Sequence, residues 1–205
     1  MVDRQLTAVA LSCSLKPSPA KSSTDLLASQ VLSQLEKYSV TGKSIRLADY
    51  DIKAGVEADM GDGDQWPALR RRIMAADILV LATPTWMGQP SSICQRVLER
   101  LDAELSDADE QGRLHTFGKV AIAAVVGNED GAHHISAIIF QVLNDVGFSI
   151  PAQATTYWNG EAMHTTDYQD LAETPAVTAS TNAAVAKNAA HLARLLRGAQ
   201  YPPQE

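Results

Sequence analysis

Cysteine is scarce. The chain holds only Cys13 and Cys94, far apart and in no C-x-x-C pair, which excludes a disulfide framework or a zinc cluster and suits a reducing compartment. Long hydrophobic runs are missing. The longest apolar stretches, such as Val120 to Val126, are strand-sized, whereas a membrane-spanning helix needs about 20 apolar residues. Positive charge is in deficit, with 17 Lys and Arg against 24 Asp and Glu and a formal net charge of −7. A nucleic-acid binder would show a basic stripe instead. The opening Met-Val-Asp-Arg-Gln carries no apolar h-region, so no secretory segment is expected and the cytoplasm is the expected location.

Familiar motifs are also missing. No G-x-G-x-x-G follows a strand and no G-x-S-x-G elbow occurs. Thr41-Gly42-Lys43-Ser44 echoes the end of a nucleotide P-loop, but Lys37 stands where the first glycine is required. Asp59, Asp62 and Asp64 suggest a calcium loop until Trp66 and Ile73 fall where the spacing needs acidic or amide ligands. A phosphorelay receiver would need acids ending the first strand, where Leu11 and Ser12 stand.

What is present is a soluble globular composition, 45% hydrophobic and 20% charged over 205 residues, enough for one α/β domain spanning 1–205. Apolar runs alternate with helical periods. Strands are expected at 7–12, 44–47, 77–83, 119–127 and 152–157. Helices are expected after Ser23 or Thr24, from Pro67, from near Pro90 with Ile93, Val97, Leu101 and Leu105, over 135–146 ending at Gly147, and from Pro175 to Gly198. Five β-α units predict a three-layer, doubly wound parallel five-stranded sheet in the order 2-1-3-4-5. The longer loops, 48–66, 106–118 and 158–174, are expected on the surface.

In such a sheet ligands bind beyond the carboxyl ends of the strands where strand order reverses. The first loop there, Ser12 to Thr24, is rich in hydroxyls, holds Lys16 and Lys21 and feeds a helix N-terminus. Free N–H groups and the helix dipole favour an anion, so either a phosphate site or a solvent-exposed capped loop fits. The second, Thr83-Pro84-Thr85-Trp86-Met87-Gly88-Gln89-Pro90, offers an aromatic cover and a glycine that lets a planar ligand approach. The third, Gly127-Asn128-Glu129-Asp130-Gly131-Ala132-His133-His134, can hydrogen-bond a heterocycle edge. Adjacent histidines point in different directions on a helix start, so no metal is expected there.

These three loops resemble those of the flavodoxin-like NADPH-dependent FMN reductase and quinone reductase superfamily. The resemblance spans about residues 6 to 197 and is carried by Ser12-x-Ser14-Leu15-Lys16 with Ser22-Ser23-Thr24, by Thr83-Pro84-Thr85-Trp86-Met87-Gly88, and by Gly127-Asn128-Glu129-Asp130-Gly131. It implies non-covalent FMN. Ser12, Ser14, Lys16, Ser22, Ser23 and Thr24 would hold the phosphate. Pro84, Thr85, Trp86, Met87 and Gly88 would flank the isoalloxazine, and Gly127, Asn128, Glu129 and Gly131 would meet its pyrimidine side or face. Many members begin the first loop with Gly-Ser-x-Arg, where this chain has Cys13-Ser14-Leu15-Lys16 and a longer proline-bearing insert. The implied protein is an oxidoreductase passing electrons from NAD(P)H through FMN to a quinone, free flavin or similar small acceptor. It would be a homodimer or homotetramer, with no catalytic acid or base assigned and no role given to His133 or His134. The alternative is a flavodoxin-type electron carrier, whose usual Thr-x-Thr-Gly-x-Thr loop is missing.

Overall fold

The computed structural model describes residues 5–161 and 163–204. Residues 1–4, on which the expectation of no secretory segment partly rests, lie outside the described residues, as does one position of the 158–174 loop.

The strands are β1 (Leu6–Ser12), β2 (Val40–Arg46), β3 (Ile78–Trp86), β4 (Gln89–Pro90), β5 (Val120–Gly127) and β6 (Thr155–Asn159). The helices are α1 (Ser23–Glu36), α2 (Trp66–Ala75), α3 (Ser92–Arg100), α4 (Ala132–Asp145) and α5 (Ala176–Gly198). The parallel sheet runs β2-β1-β3-β5-β6, with β4 attached antiparallel to the end of β3. Setting β4 aside, this is the expected order of five parallel strands.

Alternation along the strands makes the three layers. Val9, Leu11, Leu79, Leu81, Ala121 and Ala123 face one core with Leu69 and Ile73 of α2, Val97 of α3 and Ile135 and Ile139 of α4. Ala8, Ala10, Val80, Ile122 and Ala124 face the other with Leu27 and Val31 of α1 and Ala186, Ala189, Ala190 and Ala193 of α5. A strand buried on both faces needs no polar alternation, which is why β3 and β5 read as continuous apolar runs.

Several expectations change. The expected strand at 44–47 is β2, and it begins at Val40. It is an edge strand with Thr41 and Lys43 exposed, and this polarity hid its first half. The last strand is shifted from 152–157 to Thr155–Asn159. The cap of α1 is neither Ser23 nor Thr24 but Ser22, whose Oγ accepts from Asp25 N at 3.3 Å. Pro90 belongs to β4. The following helix is capped by Ser91, whose Oγ accepts from Cys94 N at 3.2 Å and donates to Cys13 O at 2.7 Å. That helix tightens to a 3-10 turn over Leu101–Ser106. The shorter period rotates Leu105 off the apolar face, and it is half-exposed.

The long loops are not wholly superficial. Asp64 and Arg100 form an ion pair at 2.7 Å with both side chains fully buried. Arg100 also donates to Lys53 O and Glu57 O, both at 3.0 Å, which fastens the 48–66 loop to α3. Burial alone would raise the Asp64 carboxyl. The Arg100 guanidinium and the N–H groups of Met60, Trp66 and Lys53 outweigh it and hold the group well below the usual carboxylate range.

After α5 the chain returns to the amino end of the sheet. Tyr201 packs on Phe117 with ring centroids 5.2 Å apart, and its hydroxyl meets Ser149 Oγ at 2.8 Å. Ser149 bridges to Val120, the first residue of β5.

Candidate functional site

The carboxyl ends of β1, β3 and β5 open onto one cleft at the reversal point of the sheet. Its cavity volume is about 140 Å³, and it opens to solvent at its mouth. Three strand-end loops and a fourth segment line it.

At one end lies the N-terminus of α1. Ser14, Lys16, Ser22, Ser23 and Thr24 all line the cleft. Ser14 Oγ accepts from Lys16 N at 3.2 Å, folding the loop back on itself. Asp25, in the first turn, would repel an anion, but Arg46 at the end of β2 neutralises it. Arg46 Nε donates to Asp25 Oδ2 at 2.5 Å and its Nη1 to Ala20 O at 2.6 Å. Asp49 adds a second tether, accepting from Ser18 N and Ser18 Oγ, both at 2.7 Å. The loop is thus held from β2, with the unsatisfied N–H groups of α1 and the Lys16 ammonium left for an anion. Ser12 behaves differently from its neighbours. It is fully buried and its hydroxyl donates to Asp25, so it supports the loop from below and does not line the cleft.

At the other end, Pro84, Thr85, Trp86, Gly127 and Asn128 line the cleft. Met87 and Gly88 turn the chain back into β4 with φ of +53° and +72°. Positive φ at both central residues is the signature of a tight two-residue hairpin. Glu129 holds this hairpin, its Oε1 accepting from Met87 N at 2.9 Å. Gly131 fits against it so closely that a Cβ there would lie 2.8 Å from Gly88 Cα. Met87, Gly88, Glu129 and Gly131 therefore fix the shape of the rim from outside the cleft lining. Trp86 stands half-exposed at the mouth. His133 packs edge-on to Tyr157 and His134 Nε2 meets Gln89 Oε1 at 3.2 Å. No group of metal-binding side chains occurs among the described residues.

Sequence reading missed the fourth segment. Trp158, Asp167, Tyr168 and Gln169 also line the cleft, next to α1. They lie in a polar stretch without period. The missed partners of the anion loop, Asp25, Arg46 and Asp49, carry no local motif either.

The architecture is that of the flavodoxin-like α/β proteins, with the cleft at the switch point. The family model for NADPH-dependent FMN reductase matches residues 6–163. The chain is 32% identical over 208 residues to 8-demethyl-8-aminoriboflavin-5'-phosphate synthase of Streptomyces davaonensis, covering 96% of this chain and 80% of that one. It is 38% identical over 169 residues to a divalent metal cation transporter, MntH, of Mycobacterium bovis. That match takes in 80% of this chain but spans only 25% of the relative's length. Among solved structures, RosB with its bound intermediate 8-demethyl-8-formylriboflavin-5'-phosphate superposes with a TM-score of 0.87 at 31% identity, over 96% of this chain and 82% of that one. The chain belongs to the NADPH-dependent FMN reductase family, and is an oxidoreductase of the FMN-binding kind.

The cleft fits that cofactor. Thr85 is buried, lines the ring end, and its Oγ1 has no hydrogen-bond partner. Such an atom is expected to meet a ligand. Gly127 offers bare backbone beside it, since a Cβ there would fall 2.8 Å from Thr85 Cβ. Thr85→Val replaces the hydroxyl with a methyl group of similar size. Free-protein melting should then hold or rise, while FMN affinity falls about three- to ten-fold, the range for one neutral hydrogen bond. Scanning calorimetry and titration calorimetry check the two halves. Unchanged affinity would separate this hydroxyl from the ligand.

Proposed function

We propose that residues 1–205 form one FMN-binding domain that takes reducing equivalents from NAD(P)H and delivers them to a quinone, a free flavin or a similar small acceptor. The observation that supports this most is that one cleft is lined both by hydroxyls at a helix N-terminus and by the aromatic side chains of Trp86 and Trp158. Bound FMN supplies the hydride-accepting and electron-donating chemistry, and the protein supplies binding and orientation. Ser14, Lys16, Ser22, Ser23, Thr24 and the first N–H groups of α1 bind the phosphate, with Ser12 holding the loop through Asp25. Pro84, Thr85 and Trp86 face the ring, with Gly127 and Asn128 at its edge. Met87, Gly88, Glu129 and Gly131 keep the hairpin in place. Burial of Thr85 excludes water at the inner edge, and the exposed rim at Trp86 and Met87 leaves room for nicotinamide and acceptor in turn.

The same reading places the protein in the cytoplasm as a homodimer or homotetramer. Leu15 and Trp86 line the cleft and Met87 adjoins Trp86, all three exposed apolar side chains that a second copy would cover. Among the described residues no helix is long and apolar enough to cross a membrane.

Equilibrium dialysis against FMN and riboflavin tests the phosphate end. FMN should bind far more tightly, and Ser14→Ala or Thr24→Ala should each weaken it by about 1–3 kcal/mol, the scale for hydrogen bonds to a charged group. Equal affinities for the two flavins would defeat the assignment. NADPH should bleach the bound flavin under nitrogen.

The likeness to the Streptomyces davaonensis synthase and to RosB favours a second reading, in which a riboflavin phosphate is itself the substrate. Mass spectrometry of the flavin recovered after turnover separates the two. An unaltered FMN supports electron transfer, and a changed ring supports the synthase-like reading.

A further inference from the structure

The segment after β6 crosses the cleft as a strap, and its attachments are at opposite ends. Gln169 N donates to Ser23 Oγ at 3.2 Å, beside the N-terminus of α1. Asn128 Nδ2 lies 3.5 Å from Asp167 Oδ1, at the ring end. Between them Tyr168 turns into the protein. It is 2% exposed, its hydroxyl donates to Gln30 Oε1 at 2.6 Å and its ring packs on Trp158 with centroids 5.4 Å apart. Anchored in this way, Asp167 and Gln169 line the stretch of cleft that joins the anion end to the ring end. Gln169 Oε1 is buried and has no hydrogen-bond partner.

We propose that Asp167 and Gln169 read the polyol linker of the flavin phosphate, making this strap a specificity element for a linear hydroxylated chain. The proposal rests on the FMN reading above. A ligand held at both ends must thread its linker past the strap, and the strap presents acceptors there, a carboxylate and an amide oxygen. Ribityl hydroxyls are donors of the kind these groups need. A buried amide oxygen left unpaired is unfavourable, so a linker without hydroxyls loses what a hydroxylated one gains. Discrimination against ligands lacking a required hydroxyl is the kind that buried polar sites achieve best.

The test compares two ligands, FMN and a flavin carrying a phosphopentyl chain without hydroxyls, by titration calorimetry on the full chain. Wild type should prefer FMN at least ten-fold. Gln169→Leu and Asp167→Ala should each lower FMN affinity about ten-fold and leave the phosphopentyl flavin within two-fold, so the preference narrows. Gln169→Leu leaves the Gln169 N to Ser23 bond, the Asp167 contact with Asn128 and Tyr168 in place, so it is the decisive variant, whereas Asp167→Ala also removes the contact with Asn128; circular dichroism verifies folding. If the variants weaken both ligands equally, the strap is only structural and the proposal falls. It falls equally if neither ligand is affected. Failure of wild type to bind either flavin would instead overturn the FMN reading itself.

Discussion

Asp64→Ala is expected to destabilise the protein by about 3–5 kcal/mol, the range for removing one partner of a buried ion pair. The Arg100 guanidinium would keep its bonds to Lys53 O and Glu57 O but lose its counter-charge, at a place where its side chain has no water to turn to. Urea unfolding measures the loss. The double variant Asp64→Leu with Arg100→Leu should recover part of it, since no charge then stays buried. A single variant within 1 kcal/mol of wild type would show that the pair adds little. The pair also sets an acid limit. The folded Asp64 titrates below its unfolded value, so its contribution is complete above the unfolded carboxylate range near 4 and disappears as pH falls toward the folded value. Between about pH 4 and 2 the wild type should therefore lose stability faster than Asp64→Asn.

Gly131→Ala should lower FMN affinity by one to two orders of magnitude. Gly131 has φ +143°, a conformation that side-chain-bearing residues rarely adopt, and a new Cβ would meet Gly88 Cα at 2.8 Å and Gly88 O at 3.0 Å. Backbone strain of this sort amounts to about 1–3 kcal/mol. Relief requires the hairpin at Met87 and Gly88 to move away from the third loop, and that movement widens the ring end where Thr85 and Trp86 stand. The loop ahead of α1, more than 100 residues earlier in the chain, should keep its shape. Free phosphate should therefore still compete for the residual binding as it does in wild type. FMN titration gives the first result and phosphate competition the second. Wild-type FMN affinity in Gly131→Ala would mean that the hairpin tolerates displacement.

The order of the parallel strands was legible in the sequence because β3 and β5 are uninterrupted apolar runs and helical periods separate the strands. That the loop ahead of α1 borders the cleft was legible for a similar reason, as hydroxyls and lysines ahead of a helix are local signals. What escaped detection depends on distance or on side-chain direction. The Asp64 to Arg100 pair joins residues 36 apart, and nothing near either one announces the other. Ser12 belongs to the right motif, yet the strand aims its hydroxyl at Asp25. The hairpin after Trp86 hinges on a positive φ at Met87, a residue that composition does not associate with turns. Asp167 and Gln169 sit in a stretch with no apolar period, where sequence offers only the word loop.

The direction in which the described chain enters and leaves bears on how the domain could be joined to others. β1 starts at the amino end of the sheet with Leu6, and the last residues pack beside Val120 at that same end, where Gln204 N donates to Gln111 O at 2.9 Å. The cleft opens at the opposite pole. An attachment made at the described positions Gln5 or Gln204 would leave from the pole opposite the cleft. Immobilised on an electrode or a bead through either of these positions, the molecule would present its cleft outward.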